Sequence, residues 1–374
     1  MALTRLTSAN AIPDDSVANV KMANIVQSKN ILINGDMQIA QRATSTASIT
    51  SSGYHTIDRW QTSITNLGTW TQSQDTDVPS GYGFAKSLKM DCTTADASPA
   101  AADALYIRQI IEGQNVQYLK YGTSSAQSLT VSFWVKAVKT GTNIVELYNN
   151  DAVKFISKSY TISSSNTWEK KTLTFAGDTG SGDGFDNDNA ASLYLHFYFG
   201  SGTDYTSGTL NTSWVEASGN QTGRAVGQVN HADSTSNNFW ITGVQLEAGD
   251  TASEFEFLPY DLNLDRCHRY YQNYIAQNDK FITMGGYNST NFIYMWFRFY
   301  KTMRVNPSLV INTGTDYYTV YRAGGTDGID SLAVSTNTPQ GCMLYKSGES
   351  GTAGDVAFLY TNNSDVYIAF DGEL

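Results

Sequence analysis

The run Ser128-Leu129-Thr130-Val131-Ser132-Phe133-Trp134-Val135-Lys136 constrains the fold more than any other feature of the chain. Leu129, Val131, Phe133 and Val135 fall on one side, and Thr130, Ser132, Trp134 and Lys136 on the other. That is the period-two pattern of a β-strand, whose successive side chains point to opposite faces. It recurs at residues 143–148, 168–175, 192–199 and 238–246, between clusters of Gly, Ser, Asn and Asp. Short strands separated in this way suit a sandwich or jelly roll. In the 192–199 run, Leu193, Leu195, Phe197 and Phe199 share one side while Tyr194, His196 and Tyr198 share the other. With both faces aromatic or apolar, this strand is expected to be central and covered on two sides.

Composition agrees with an all-β chain. Aromatics reach 12% and charged residues only 16%, with 23 Tyr and 31 Gly. Aromatic side chains fit a pleated, half-buried surface, and glycine supplies the positive-φ positions of turns. A length of 374 residues suits two domains and a short extra segment. The expected order is an N-terminal arm (1–29), a jelly-roll β-sandwich (30–260), a helical linker (261–274) and a smaller C-terminal β-domain (275–374). The linker rests on Leu262, Leu264, Cys267, Tyr270, Tyr271 and Tyr274 at near-helical spacing after Pro259. The arm has one weak apolar stripe, in which Val17, Val20 and Met22 are the residues expected to dock on a partner.

A formal net charge of −11 argues against nucleic acid or an anionic membrane surface as the main partner. No apolar run approaches the roughly 20 residues of a spanning helix, and the N-terminus lacks the pattern of a secretion signal, so synthesis in a cytoplasm without export is expected. Cys92, Cys267 and Cys342 are odd in number and unpatterned, which reads as buried thiols.

Several segments, taken in order, carry a family likeness. They are Asn30-Ile31-Leu32-Ile33-Asn34-Gly35-Asp36-Met37-Gln38-Ile39-Ala40-Gln41-Arg42, Asp58-Arg59-Trp60, Ser132-Phe133-Trp134-Val135-Lys136-Ala137, Trp240-Ile241-Thr242-Gly243-Val244-Gln245-Leu246-Glu247-Ala248-Gly249, Phe255-Glu256-Phe257-Leu258-Pro259-Tyr260, Arg266-Cys267-His268-Arg269-Tyr270-Tyr271 and Phe299-Tyr300-Lys301-Thr302-Met303-Arg304-Val305-Asn306-Pro307. Together they resemble the jelly-roll domain, similar to carbohydrate-binding modules, of phage tail fibres and related virion proteins. The resemblance implies a virion component made in the host cytoplasm, docked to other virion proteins through the arm, assembled as a homotrimer and in contact with host surface glycan. A capsid-decorating or tail-connecting protein without glycan binding is the alternative, and a polysaccharide depolymerase a more distant one. Thr242-Gly243 stands where such modules often carry acids beside a structural calcium, which departs from the pattern.

No enzymatic constellation emerges. His55, His196, His231 and His268 are not spaced as metal ligands, and no nucleophile elbow occurs. His196, between Tyr194 and Tyr198, reads as a packed, hydrogen-bonded core histidine. Glu247 is expected to pair structurally with Arg59. Trp70 and Trp214, flanked by polar residues, are the candidate glycan contacts. Asp178, Asp183, Asp186 and Asp188, in a glycine-rich loop, offer oxygen ligands for calcium without the spacing of an EF-hand; otherwise no cofactor is expected.

Overall fold

The alternating runs form two antiparallel sheets that share one core. The structure is a computed structural model describing residues 29–275, 281–364 and 366–374; Val17, Val20 and Met22 lie outside the described residues. One sheet has six strands in the order β1 (Ser45–Ile49), β4 (Thr69–Asp75), β5 (Ser87–Thr94), β13 (Asn238–Ala248), β7 (Leu129–Ala137) and β10 (Glu169–Phe175). The other has seven, in the order β12 (Val215–Glu216), β9 (Lys154–Ile162), β8 (Gly141–Asn149), β11 (Ala191–Ser201), β6 (Ala104–Glu112), β3 (Gln61–Thr65) and β2 (Gly53–Tyr54). The chain passes repeatedly from one sheet to the other, as in a jelly roll.

Side-chain parity fills the space between the sheets. Leu129, Val131, Phe133 and Val135 of β7 meet Leu193, Leu195, Phe197 and Phe199 of β11, and all eight are fully buried. Phe133 and Phe197 meet edge to face at 5.0 Å. Each such side chain contributes about 1.5–3 kcal/mol through burial alone. Where β13 is bulged between Thr242 and Gln245, Gly243 has φ +60°, and a Cβ there would lie 2.5 Å from the Phe84 ring. Thr242-Gly243 therefore serves backbone geometry, and the Thr242 hydroxyl donates to the Lys86 carbonyl.

The C-terminal region is a second two-layer unit. Its large sheet runs β19 (Gly325–Ile329), β18 (Tyr318–Arg322), β22 (Val356–Thr361), β15 (Phe281–Ser289), β16 (Phe292–Arg298), β21 (Gly341–Ser347), β20 (Ala333–Thr338). One face, with Ile293, Met295, Phe297, Val320, Leu344 and Leu359, packs on a three-stranded sheet of β14 (Tyr271–Ile275), β23 (Ile368–Asp371) and β17 (Ser308–Ile311). Ile368 and Phe370 belong to the same core. The helix before this unit spans Tyr260–His268, so the expected helical linker is too long at its C-terminal end. Tyr271 and Asn273 instead pair with Asp371 and Ala369, because a partner strand a hundred residues downstream outweighs a spacing that suits either structure.

A buried polar junction joins the two units. The fully buried Arg59 ion-pairs with Glu373, donates to the Ile110 carbonyl and lies 3.5 Å from the Tyr270 ring centroid. Glu373, not the expected Glu247, is thus its partner; Glu247 accepts from Gln245 and Ser253. Arg42 contacts Asp371 at 3.0 Å and Glu373 at 3.4 Å, while Arg269 pairs with the buried Glu112 at 2.6 Å. Asn263 of the helix donates to Asp36 and accepts from the Asn34 amide. Three of the segments that carried the family likeness, around Asn34, Arg59 and Arg269, therefore meet at one junction.

Candidate functional site

The outward face of the seven-stranded sheet is where aromatic side chains reach the surface together. Strand parity that buries Leu195 and Phe197 turns Tyr194, His196 and Tyr198 outward on β11. Register then sets Tyr148 and Glu146 of β8 beside Tyr194 and His196, and Tyr106 and Arg108 of β6 beside Tyr198 and His196. Gln61 of β3 lies opposite Arg108. Covers close the two ends. At one, Ala225 packs on Ile144 and Tyr198, with Tyr205 and Leu210 against them. At the other, Arg269 and Tyr270 bind Glu112. Between them Tyr106, Arg108, Tyr148, Tyr194 and Gln61 stay partly exposed.

This strip combines ring faces with fixed polar groups. Tyr148 and Tyr194 lie 5.6 Å apart, and Tyr106 lies 4.6 Å from the His196 ring. The Arg108 guanidinium sits 5.2 Å from the Tyr194 ring centroid and donates to Gln61 Oε1 at 2.6 Å. The Tyr194 hydroxyl donates to Asn150 Oδ1 at 3.1 Å. Such a mixture gives a flat ligand apolar contact and several hydrogen-bond directions.

Beneath the strip lies a buried charge cluster. Glu146 is fully buried, accepts from Arg224 Nε at 2.8 Å and from Arg224 Nη2, and lies 2.8 Å from His196 Nδ1. Burial pushes the Glu146 carboxyl up, but the Arg224 charge and the hydrogen bonds from Arg224 and His196 outweigh it and hold the group at about 2. Burial lowers His196 to about 4 despite its carboxylate partner, so the imidazole is neutral at pH 7. A carboxylate only accepts, so Nδ1 carries the proton and Nε2 keeps its lone pair. Nε2 has no hydrogen-bond partner among the described residues. The cluster fixes the tilt of the ring under Tyr106. A carboxyl held so low does not donate a proton near neutral pH.

The residues singled out from sequence lie elsewhere. Trp70 is fully buried, with its edge on Phe199 and its indole N–H on the Leu67 carbonyl, so no ring face is open to a sugar. Trp214 is partly buried against Tyr121 at 5.6 Å and donates to the Ala176 carbonyl. The acidic loop does not gather its four carboxylates. Asp178 and Asp183 face the Lys154 ammonium, Asp186 is bound through its backbone N–H to Asp151, and Asp188 caps the Ala190 amide. A lysine thus occupies the position a cation would take, and no group of three or more metal-ligating side chains occurs among the described residues. Cys92, Cys267 and Cys342 are buried free thiols. Across the sandwich, Trp134 packs on Tyr82 at 4.2 Å beside a cavity of about 250 Å³ lined also by Phe84, Phe255, Phe257 and Lys170.

No protein-family model matches the chain, and no curated protein matches it. Among solved structures, the chain is similar to the enzymatically active domain of tailspike protein 4 of bacteriophage CBA120, at 16% identity and a TM-score of 0.30. That alignment covers 59% of this chain and 21% of the tailspike domain, so the chain spans about a fifth of its length. The chain is also similar to TmCBM61 in complex with β-1,4-galactotriose, at 9% identity and a TM-score of 0.29, over 59% of this chain and 99% of that one. A third similar structure is the family 11 carbohydrate-binding module of Clostridium thermocellum, at 11% identity and a TM-score of 0.25, over 56% of this chain and 99% of that one.

Proposed function

We propose that this chain is a non-enzymatic surface protein of a tailed-phage particle, of tail-fibre or receptor-binding type, that holds host surface glycan on the Tyr106–Tyr148–Tyr194 strip. One observation carries the glycan reading: three half-exposed tyrosines lie on one sheet face with Arg108, Gln61 and Asn150 already fixed around them. A pyranose has an apolar face for the rings and equatorial hydroxyls for the guanidinium and amides. The strip is shallow, so single-site affinity is weak; a millimolar dissociation constant is about −4 kcal/mol. Assembly as a homotrimer, with the arm anchored to other virion proteins, multiplies that by avidity.

A glycan array probed with the purified chain and with Tyr194→Ala tests this reading. The native chain is expected to select a subset of host surface glycans and the variant to lose them. Absence of binding at every concentration leaves a scaffold protein instead. Release of reducing ends from host polysaccharide overturns the non-enzymatic reading.

A further inference from the structure

The C-terminal seven-stranded sheet has two unlike faces. One is the core face already described. Along β22 the burial alternates between Val356, Phe358 and Tyr360 turned outward and Ala357 and Leu359 turned in. Along β16, Phe292, Tyr294 and Trp296 turn outward while Ile293, Met295 and Phe297 turn in. Register makes the outward residues one field. Tyr321 pairs with Phe358, Phe358 with Met284, and Trp296 with Met343. Ring contacts continue it: Phe281 to Phe358 at 6.3 Å, Phe281 to Tyr360 at 5.7 Å, Tyr321 to Tyr360 at 4.8 Å and Phe292 to Tyr345 at 6.4 Å.

We infer that this outward face is a self-association surface, covered in the assembled protein by a second copy of this chain. Phe281, Met284, Phe292, Trp296, Tyr321, Val356 and Phe358 are each between 39 and 58% exposed. With roughly 200 Å² for an aromatic side chain, the exposed part of the seven comes to roughly 600 Å² of apolar surface. That is at or above the roughly 300–600 Å² of the largest patch on an ordinary monomer. A standard interface takes roughly 800 Å² per partner, a little over half of it apolar, so the patch supplies one partner's apolar share. Its chemistry is that of an interface core, rich in aromatics and Met.

The face lacks the charges that would oppose a second copy. Two copies at −11 repel at long range, so they can meet only where acids are absent. No Asp or Glu faces outward on the central strands β18, β22, β15, β16 and β21 among the described residues; Arg298 at the margin is the charged exception. The inference is independent of glycan binding, which uses a different sheet.

Sedimentation velocity of the full chain across a concentration series tests it, beside Trp296→Lys/Phe358→Lys and, separately, Met284→Lys/Tyr321→Lys. Near-UV circular dichroism checks the fold of each, and two pairs on different strands guard against one failing to fold. The native chain is expected to sediment with the mass of two or three chains, and more completely as salt screens the repulsion. Either folded variant is expected to weaken association on the order of a hundredfold or more. A native chain that stays monomeric at every concentration overturns the inference, as does a folded lysine variant that associates as well as the native chain. Tyr194→Ala, on the other sheet, is expected to leave the mass unchanged while removing glycan, which keeps the two readings separable.

Discussion

Replacing Arg224 with Met removes the counter-charge of Glu146 and leaves the rest of the cluster in place. Glu146 is fully buried and Arg224 nearly so, which makes this a buried pair and not a surface one. Removing one partner of a buried pair costs about 3–5 kcal/mol, a large share of the roughly 5–15 kcal/mol that holds a domain together. The displacement of the Glu146 carboxyl from its ordinary value is similar in size. A carboxyl held at about 2 instead of its ordinary 4.5 corresponds to about 3 kcal/mol. That contribution is complete above pH 4.5 and is lost as pH falls toward 2. In Arg224→Met, burial of the Glu146 carboxyl is opposed only by its hydrogen bonds with His196 and Tyr198, so the folded variant takes up a proton at higher pH than the folded native protein does. The native protein loses stability as pH falls from 7 toward 5, because the unfolded chain protonates His196 first, and the variant loses less, so its gap to the native protein narrows. Urea unfolding followed by tryptophan fluorescence reports the jelly roll, since six of the seven tryptophans lie before the C-terminal unit. Glu146→Gln/Arg224→Met is expected to be less destabilised than Arg224→Met alone. A loss under about 1 kcal/mol, or a gap that does not change with pH, refutes the reasoning.

Three further outcomes follow from the packing. Glu373→Ala strands the buried Arg59 and is expected to cost several kcal/mol and expose the 269–275 segment to limited proteolysis; unchanged cleavage contradicts the junction. Asp58 is fully buried and pushed up to about 6, so its share of stability grows as pH falls from 6 toward 4; Asp58→Asn is expected to remove that component from a pH series of unfolding curves. Millimolar calcium is expected to leave the melting temperature of the native protein unchanged, because Lys154 already neutralises Asp178 and Asp183; a calcium-dependent rise contradicts this placement.

Legibility in the sequence followed the range of the interactions. Alternation fixed the two faces of β7 and β11 without a partner strand, because parity is local. The same rule explains the error at Trp70. Thr69 and Thr71 on either side are what a strand shows when the residue between them points inward, so polar neighbours mark burial there. Tyr194 was visible as one of an outward row, and His196 and Tyr198 are indeed covered. That the covers stop short of Tyr194 depends on where the 203–230 segment and the Arg269 loop dock. Neither can be read from spacing. The same holds for Lys154 against the acidic loop, and for Glu373 against Arg59 across 314 residues. The outward field on the C-terminal sheet was only partly visible: β16, β18 and β22 read as strands, but β15, β19 and β20 are rich in Gly, Thr, Ser and Asn, which reads as loop until pairing turns them into strands.

Isothermal titration with the glycan that the array selects tests the central claim most directly. Tyr148→Ala and Tyr194→Ala are expected to weaken binding at least about tenfold, about 1.4 kcal/mol each, while Trp134→Ala on the far sheet leaves it unchanged. Full affinity in both tyrosine variants, or loss confined to Trp134→Ala, contradicts the assignment of the sugar to this face.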